Sequence, residues 1–478
     1  MDPVDSVDSV DITGFPRQLG PLLALFIFLP TAAFSSGYFL PGGGAQTLAR
    51  AGAVVVSADD ASLFWSNPAL LSAQEGTRLF LSGGANFLDL SFLRYPVPEV
   101  SENFQPVSNS SSPAPFGEIG LSSDFGLRDF DFGLAFYTPA GTWNHYPEDG
   151  AQRYSEVRSQ NMAWYVQAAA AWKPLEGMTL GAGLFLFSLR INYVYAVSAF
   201  SGIFGLPEDR DLDALVQSQA ADYFIPGAVA GLWLSPGAWV AGLEGLEFGF
   251  SVSSGFSVDA DGRLRIRLPD HLYYDGVTVD PSEPPVSVKL NFPWVVRLGV
   301  RYLFRQSFDV EVDAVWEGWS VLRDVRTILK QPTYYRNVPV MGDYRLNDTV
   351  SPRKFRDTWS LRTGLGYLLL EWLKVQAGFL WEQGATSDAY YSVTCPDSDK
   401  YGLGLGLSLI LEPVRVDLGY LHLFQVARDI SVEESRATQT NPSNPEDATI
   451  VGAGRYRSSI DMLGLGIIFQ LDSLWRAK

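Results

Sequence analysis

Residues 401–411 read Tyr401-Gly402-Leu403-Gly404-Leu405-Gly406-Leu407-Ser408-Leu409-Ile410-Leu411. Successive side chains on a strand point to opposite faces. The odd positions therefore build one continuous apolar face, and the even positions begin Gly402, Gly404, Gly406, Ser408. A glycine run of this kind could cradle a phosphate only in a turn that opens a helix, and no such turn precedes a helix here. The stretch is a strand with leucines toward hydrocarbon and glycines toward an enclosed interior.

The same two-residue period recurs on either side. In 458–471, Leu463, Leu465, Ile467 and Phe469 share one face, and Met462, Gly464, Gly466 and Ile468 the other. In 129–139, Phe130, Phe132, Leu134 and Phe136 face outward. About fourteen such segments follow one another, at 77–93, 117–125, 129–139, 161–172, 178–197, 222–234, 246–257, 292–303, 307–319, 359–368, 372–385, 401–411, 414–428 and 458–471.

The connections alternate in length. Those at 126–128, 173–177, 235–245, 304–306, 369–371 and 412–413 are short. Those at 94–116, 140–160, 198–221, 258–291, 320–358, 386–400 and 429–457 are long and rich in Ser, Pro, Asn and Asp. A transmembrane antiparallel β-barrel has an even strand number, short periplasmic turns and long outer loops. The expected fold is therefore all-β, a barrel over 77–471, with both termini periplasmic and 472–478 a periplasmic C-terminal tail. The 258–291 loop contains a candidate extra hairpin (263–268 with 286–290), which leaves the count open by two.

Composition agrees. The chain has 478 residues, 47% of them hydrophobic, yet beyond Thr31 no run approaches the ~18 apolar residues of a spanning helix. A net charge of -18 argues against a nucleic-acid partner, which requires a basic face. The apolar stretch 19–29, preceded by Arg17 and followed by Thr31-Ala32-Ala33, has a signal-peptide layout, with 1–33 removed. The single cysteine, Cys395, falls in a polar loop and has no partner for an internal disulfide.

Inward positions carry the candidate site. Gly181, Gly183, Phe185 and Phe187 face the lumen of one strand, which is less polar than a water-filled pore requires. Arg297 and Arg301 share the inward face of one strand, Asp309, Glu311, Asp313 and Glu317 that of the next, and Arg362 that of the third. A turn centred on Arg305 predicts Arg301 opposite Asp309 and Arg297 opposite Asp313. Such pairs either brace the wall or leave Arg297, Arg301 and Arg362 to hold a ligand carboxylate. Catalytic constellations are poor: His145 and His271 lie in loops, His422 faces outward beside Tyr420 and Phe424, and no cluster has metal-ligand spacing. No cofactor or metal is expected, and no enzyme.

The segment after the signal contains Ala49-Arg50-Ala51-Gly52-Ala53, then Ala58-Asp59-Asp60-Ala61-Ser62, then Ser66-Asn67-Pro68-Ala69-Leu70. With 132–141 (Phe-Gly-Leu-Ala-Phe-Tyr-Thr-Pro-Ala-Gly) and the Trp316/Trp319 pair, this order resembles the FadL/TodX family of outer-membrane transporters for long-chain fatty acids and aromatic hydrocarbons. The resemblance implies that 34–76 folds inside the barrel as an N-terminal hatch, with Arg50, Asp59, Asp60, Asn67 and Pro68 among its residues. It implies a kink in the third strand opening a lateral passage, here near Gly133, Tyr137 and Pro139, with Gly133 able to permit the irregularity. Asp59 and Asp60 are expected to bond hatch backbone.

The expected activity is passive uptake of hydrophobic small molecules across the cell outer membrane of a Gram-negative bacterium, through a monomer. Its other partners are outer-membrane lipids and the barrel-assembly machinery that inserts it. A general porin and a surface-binding or adhesion barrel are the alternatives.

Overall fold

The computed structural model describes residues 42–98, 100, 102–138, 141–198, 208–440 and 448–476. The expected signal, 1–33, and the first part of the expected hatch, 34–41, lie outside them. Fourteen antiparallel strands close into one barrel, the last pairing with the first from Arg78 opposite Gln470 to Arg94 opposite Gly454.

The strands are β1 (Arg78–Arg94), β2 (Ala114–Ser123), β3 (Phe130–Thr138, continued by Gly141–His145), β4 (Arg158–Leu175), β5 (Met178–Ser198), β6 (Asp213–Leu234) and β7 (Leu246–Ser253, continued by Phe256–Arg267). The second half comprises β8 (Pro285–Phe292 and Val295–Phe304), β9 (Phe308–Glu317 and Asp324–Leu329), β10 (Thr349–Pro352 and Thr358–Leu370), β11 (Leu373–Glu382), β12 (Lys400–Leu411), β13 (Val414–Gln425) and β14 (Gly454–Gln470). The chain continues from β14 into a short helix, Leu471–Arg476, within the expected C-terminal tail.

Facing follows the sequence period. Leu403, Leu405 and Leu407 are exposed on the outer wall, while the interleaved Gly402 and Gly404 are buried. Strand length does not follow so simply. Residues 258–267 and 285–291, expected as loop, continue β7 and β8 and pair from Phe256 opposite Phe292 to Arg263 opposite Pro285. The candidate hairpin therefore lengthens two strands and adds none. Residues 213–221 and 324–329 likewise extend β6 and β9. In β7 the extension reverses the pattern: Val258, Ala260 and Leu264 are buried inward, and Asp259, Arg263 and Arg265 face out. A search for apolar outward faces stops where the hydrocarbon stops, although the strands go on.

Turns also tighten. Leu175 opposes Met178, leaving only Glu176-Gly177 between β4 and β5. Phe304 opposes Phe308, so the β8–β9 turn centres on Gln306 rather than Arg305. That displaces the register by two residues and corrects the expected pairs: Arg301 stands opposite Glu311, Gly299 opposite Asp313, and Arg297 opposite Val315. A shift of two preserves facing, so all the charged groups still point inward.

Candidate functional site: an interior segment beneath two cavities

Residues 42–74 pack against the inner faces of the strands and are almost wholly buried. Two short helices, α1 (Ala45–Ala49) and α2 (Leu63–Ser66), and a 3-10 turn, Pro68–Ala73, organise them. Asn67 sets the last turn: its side chain accepts from Ala69 N–H at 3.2 Å, and Pro68 supplies the fixed φ of a helical first position. The Asn67 amide also donates to the Leu232 carbonyl of β6 at 3.1 Å.

The glycine stripe of 401–411 is the seat for α1. A Cβ on Gly404 would overlap the carbonyls of Leu48 and Ala49, and one on Gly419 the carbonyl of Ala45. Gly133 has the same explanation. β3 runs regularly through it, with Gly133 opposite Ser122 and Ala169, and an added Cβ would lie 2.6 Å from the Phe64 ring of α2. Gly133 thus makes room for Phe64 and is not the site of a strand irregularity.

The irregularity lies further along β3. Tyr137 opposes Tyr165 of β4, but Gly141 opposes Met162, so four residues of β3 span three of β4. On the other side, among the described residues, β2–β3 pairs run from Ser123 opposite Phe132 to Gly117 opposite Thr138. Pro139, the third expected gate residue, lies outside the described residues.

Charge holds the segment to the wall. Arg50, fully buried, pairs with Asp309 at 2.8 Å and Glu311 at 3.0 Å. Glu311 accepts Val56 N–H at 2.7 Å, and Asp313 accepts Val54 and Val55 N–H at 2.8 and 3.0 Å. Asp60 bonds segment backbone as expected, accepting Ser62 N–H at 3.0 Å. Asp59 does not: its carboxylate pairs with Arg415 of β13 at 2.6 Å. The sequence reading missed Arg415, and also Glu118 of β2, which accepts Trp65 Nε1–H at 3.1 Å. Their inward parity was legible; the partner was not.

Above this segment, on the long-loop side, lie two cavities. The outer one encloses about 490 Å³ between apolar positions of β5 and β8 (Phe187, Leu189, Ile191, Leu290, Phe292) and hydroxyl groups such as Ser155, Ser392 and Thr394. The inner one, about 90 Å³, is lined by Trp65, Tyr137, Tyr165, Phe185, Phe256 and Arg297. Aromatic rings bridge them: Tyr137 stacks on Tyr165 at 4.8 Å, Tyr165 meets Phe187 at 4.9 Å, and Phe187 meets Phe256 and Phe292 at 4.6 and 5.2 Å.

The three expected arginines differ. Arg301 is held by Glu247 at 3.0 Å and Asp309 at 3.3 Å and lines neither cavity, contrary to its expected ligand role. Arg362 borders the inner cavity but is paired with Glu382 at 3.0 Å. Arg297 donates to the Ser253 hydroxyl at 3.0 Å, and its guanidinium lies 5.8 Å from the Trp65 ring centre. Among the described residues it forms no ion pair with a carboxylate.

In the outer loops, burial pushes the Glu156 carboxyl up to about 7 despite a hydrogen bond from Asn144 and the charge of Arg353. Burial likewise pushes the Cys395 thiol up to about 12; the cysteine is buried within its loop. His422 keeps its outward place, with Nδ1 2.7 Å from Asp461 and its ring edge-on to Phe424. Among the described residues no group of three or more His, Cys, Asp or Glu side chains is placed to hold a metal.

A closed barrel with an apolar outer wall and an occupied lumen defines a membrane-spanning β-barrel of the outer-membrane type. Residues 26–453 match the family described as outer membrane protein transport protein (OMPP1/FadL/TodX). The chain belongs to this family of outer-membrane transport barrels.

Solved structures agree on the fold. A Pseudomonas aeruginosa FadL homologue superposes with a TM-score of 0.74 at 17% identity, covering 91% of this chain and 100% of its own. The P. putida toluene transporter TodX gives 0.62 at 14% identity, with 90% and 98% covered. The Ralstonia pickettii toluene transporter TbuX gives 0.61 at 14%, with 90% and 99% covered. No curated protein sequence matches the chain.

Proposed function

We propose that this barrel takes up hydrophobic small molecules, long-chain fatty acids or aromatic hydrocarbons, from outside the cell by passive diffusion. Cargo enters beneath the long loops, occupies the outer cavity, and moves along the aromatic rungs to the inner one. Residues 34–76 act as a hatch closing the direct route to the periplasm, and cargo leaves sideways between β2 and β3. The observation that carries this is the aromatic path: it runs from Phe292 in the outer cavity to Tyr137 on β3, opposite Glu118 of β2.

Arg297 is the cation available to a cargo carboxylate, with Phe185 and Phe187 as apolar contacts; Arg301 and Arg362 brace the wall. The chain works as a monomer, is exported through residues 1–33 and is inserted by the barrel-assembly machinery with both termini periplasmic.

The test compares uptake of an oleate-like and a toluene-like compound in a deletion strain carrying wild type or Arg297→Met. Wild type restores both, and Arg297→Met lowers carboxylate uptake about tenfold, in keeping with a lost bond to a charged group, while sparing the neutral compound. Equal uptake with and without the protein rejects transport. Large steady conductance of wild type in planar bilayers rejects the hatch.

A further inference from the structure

The outer surface of β4–β8 changes character at a ring of exposed or half-exposed aromatics. Trp164 of β4 meets Tyr223 at 5.9 Å, where β6 bulges between the pairs Phe187–Ile225 and Leu189–Asp222. Trp294 and Trp359 continue the ring on β8 and β10. Aromatic girdles mark the boundary of the hydrocarbon band. On the long-loop side of the ring, the sheet continues with its outer face charged.

Cross-strand pairing assembles these charges into rows. One row runs Asp259, Lys289, Arg326, and the next places Arg190, Ala221 and Asp261 side by side. Higher still, Arg263 neighbours Gln219, and Arg265, Gln217, Val194 and Arg158 form a continuous row. Lys289 and Arg326 are matched one to one, with Asp259 at 2.8 Å and Asp324 at 2.7 Å, and Lys330 reaches Asp261.

Four further guanidinium groups in these rows are not matched. Arg263 and Arg265 share the single carboxylate of Glu283, at 2.6 and 2.8 Å. Arg158 and Arg190 have no carboxylate partner among the described residues. Four cations against one carboxylate leave an excess of three positive charges on one face of a chain whose net charge is -18.

We infer that this face of β4–β7 binds the phosphorylated headgroup of an outer-leaflet glycolipid, with Arg158, Arg190, Arg263 and Arg265 receiving phosphate oxygens. Position selects this partner. The cations rise from the aromatic ring on the long-loop side, Arg190 opposite Met162 nearest it and Arg158 opposite Val194 further out, and arginine binds phosphate in a bidentate fork. Acyl chains of the same lipid would lie along the apolar wall below, beside Leu184 and Leu186, both exposed there. The inference rests on the long loops facing outside.

Native mass spectrometry of detergent-extracted wild type, Arg158→Ala/Arg190→Ala and Arg263→Ala/Arg265→Ala measures retained glycolipid. Compact migration of unboiled samples shows that each variant is folded. Wild type retains phosphorylated glycolipid, and each double variant binds it about tenfold or more weakly, as expected for losing charge-assisted contacts. Added bisphosphorylated lipid A raises the unfolding temperature of wild type, and its dephosphorylated form does not. Equal retention by folded variants, or an equal shift with dephosphorylated lipid, overturns the assignment. Uptake of the toluene-like compound stays unchanged in both variants, which separates this failure from failure of the transport proposal. Protease cleavage of the long loops on intact cells tests the orientation separately.

Discussion

Replacing Arg50 by alanine tests the reason the lumen is closed. In the wild type its guanidinium is fully buried and joins the interior segment to Asp309 at 2.8 Å and Glu311 at 3.0 Å on β9. Removing one partner of a buried pair typically costs about 3–5 kcal/mol, because the remaining charge keeps its desolvation penalty. Two features limit the loss here. Asp309 retains Arg301 at 3.3 Å, and Glu311 retains the Val56 N–H at 2.7 Å. The lower end, about 3 kcal/mol, is therefore expected, which corresponds to about a hundredfold in the equilibrium holding the segment in place.

In planar bilayers, Arg50→Ala shows frequent openings where wild type is nearly silent, and its urea midpoint falls. Arg50→Met/Glu311→Gln removes both charges and recovers much of the closure and stability, since replacing a buried pair by neutral groups leaves no charge stranded. If Arg50→Ala matches wild type in conductance and midpoint, or if the double variant leaks as much as the single, this ion pair does not hold the segment.

Two further outcomes follow from burial elsewhere. Gly404→Val places a Cβ onto the carbonyls of Leu48 and Ala49, so overpacking of about 1–3 kcal/mol displaces α1, lowers the unfolding temperature and raises conductance; Leu405→Val, on the lipid face, leaves both near wild type. Glu156 titrates at about 7 against an ordinary 4.5, so its stabilising contribution is complete below about pH 4.5 and is lost as pH rises to about 7. The shift sets an upper limit of about 3 kcal/mol. Hydrogen exchange in loop 146–157 therefore quickens between pH 5 and 7 in wild type, after allowance for intrinsic chemical exchange, and this added pH dependence is absent in Glu156→Gln. An unchanged profile in the variant removes Glu156 as the titrating group.

The sequence by itself determined facing. The period of two in 401–411 and 458–471 is a local property of extended backbone, and the same period placed leucines outside, glycines inside and Arg297, Arg301, Asp309, Glu311, Asp313, Glu317 and Arg362 in the lumen. The connection lengths gave about fourteen strands with the count open by two, and the pairing of 256–263 with 285–292 closed it at fourteen. Tertiary structure decided what those inward groups meet. Register depends on where a turn centres, so the residue opposite Arg301 is settled only by the turn centred on Gln306: it is Glu311, not Asp309.

Glycine positions were legible as small, but only the packed segment explains them: Gly404 receives α1 and Gly133 receives Phe64. Asp59 had many possible partners in sequence, and three-dimensional closure selected Arg415, 356 residues away. The strand extensions of β6–β9 were missed because solvent replaces hydrocarbon outside while the interior stays apolar, which reverses the very pattern that identified the rest. Periodicity is written residue by residue, whereas partners are fixed by contacts between distant segments that no local pattern encodes.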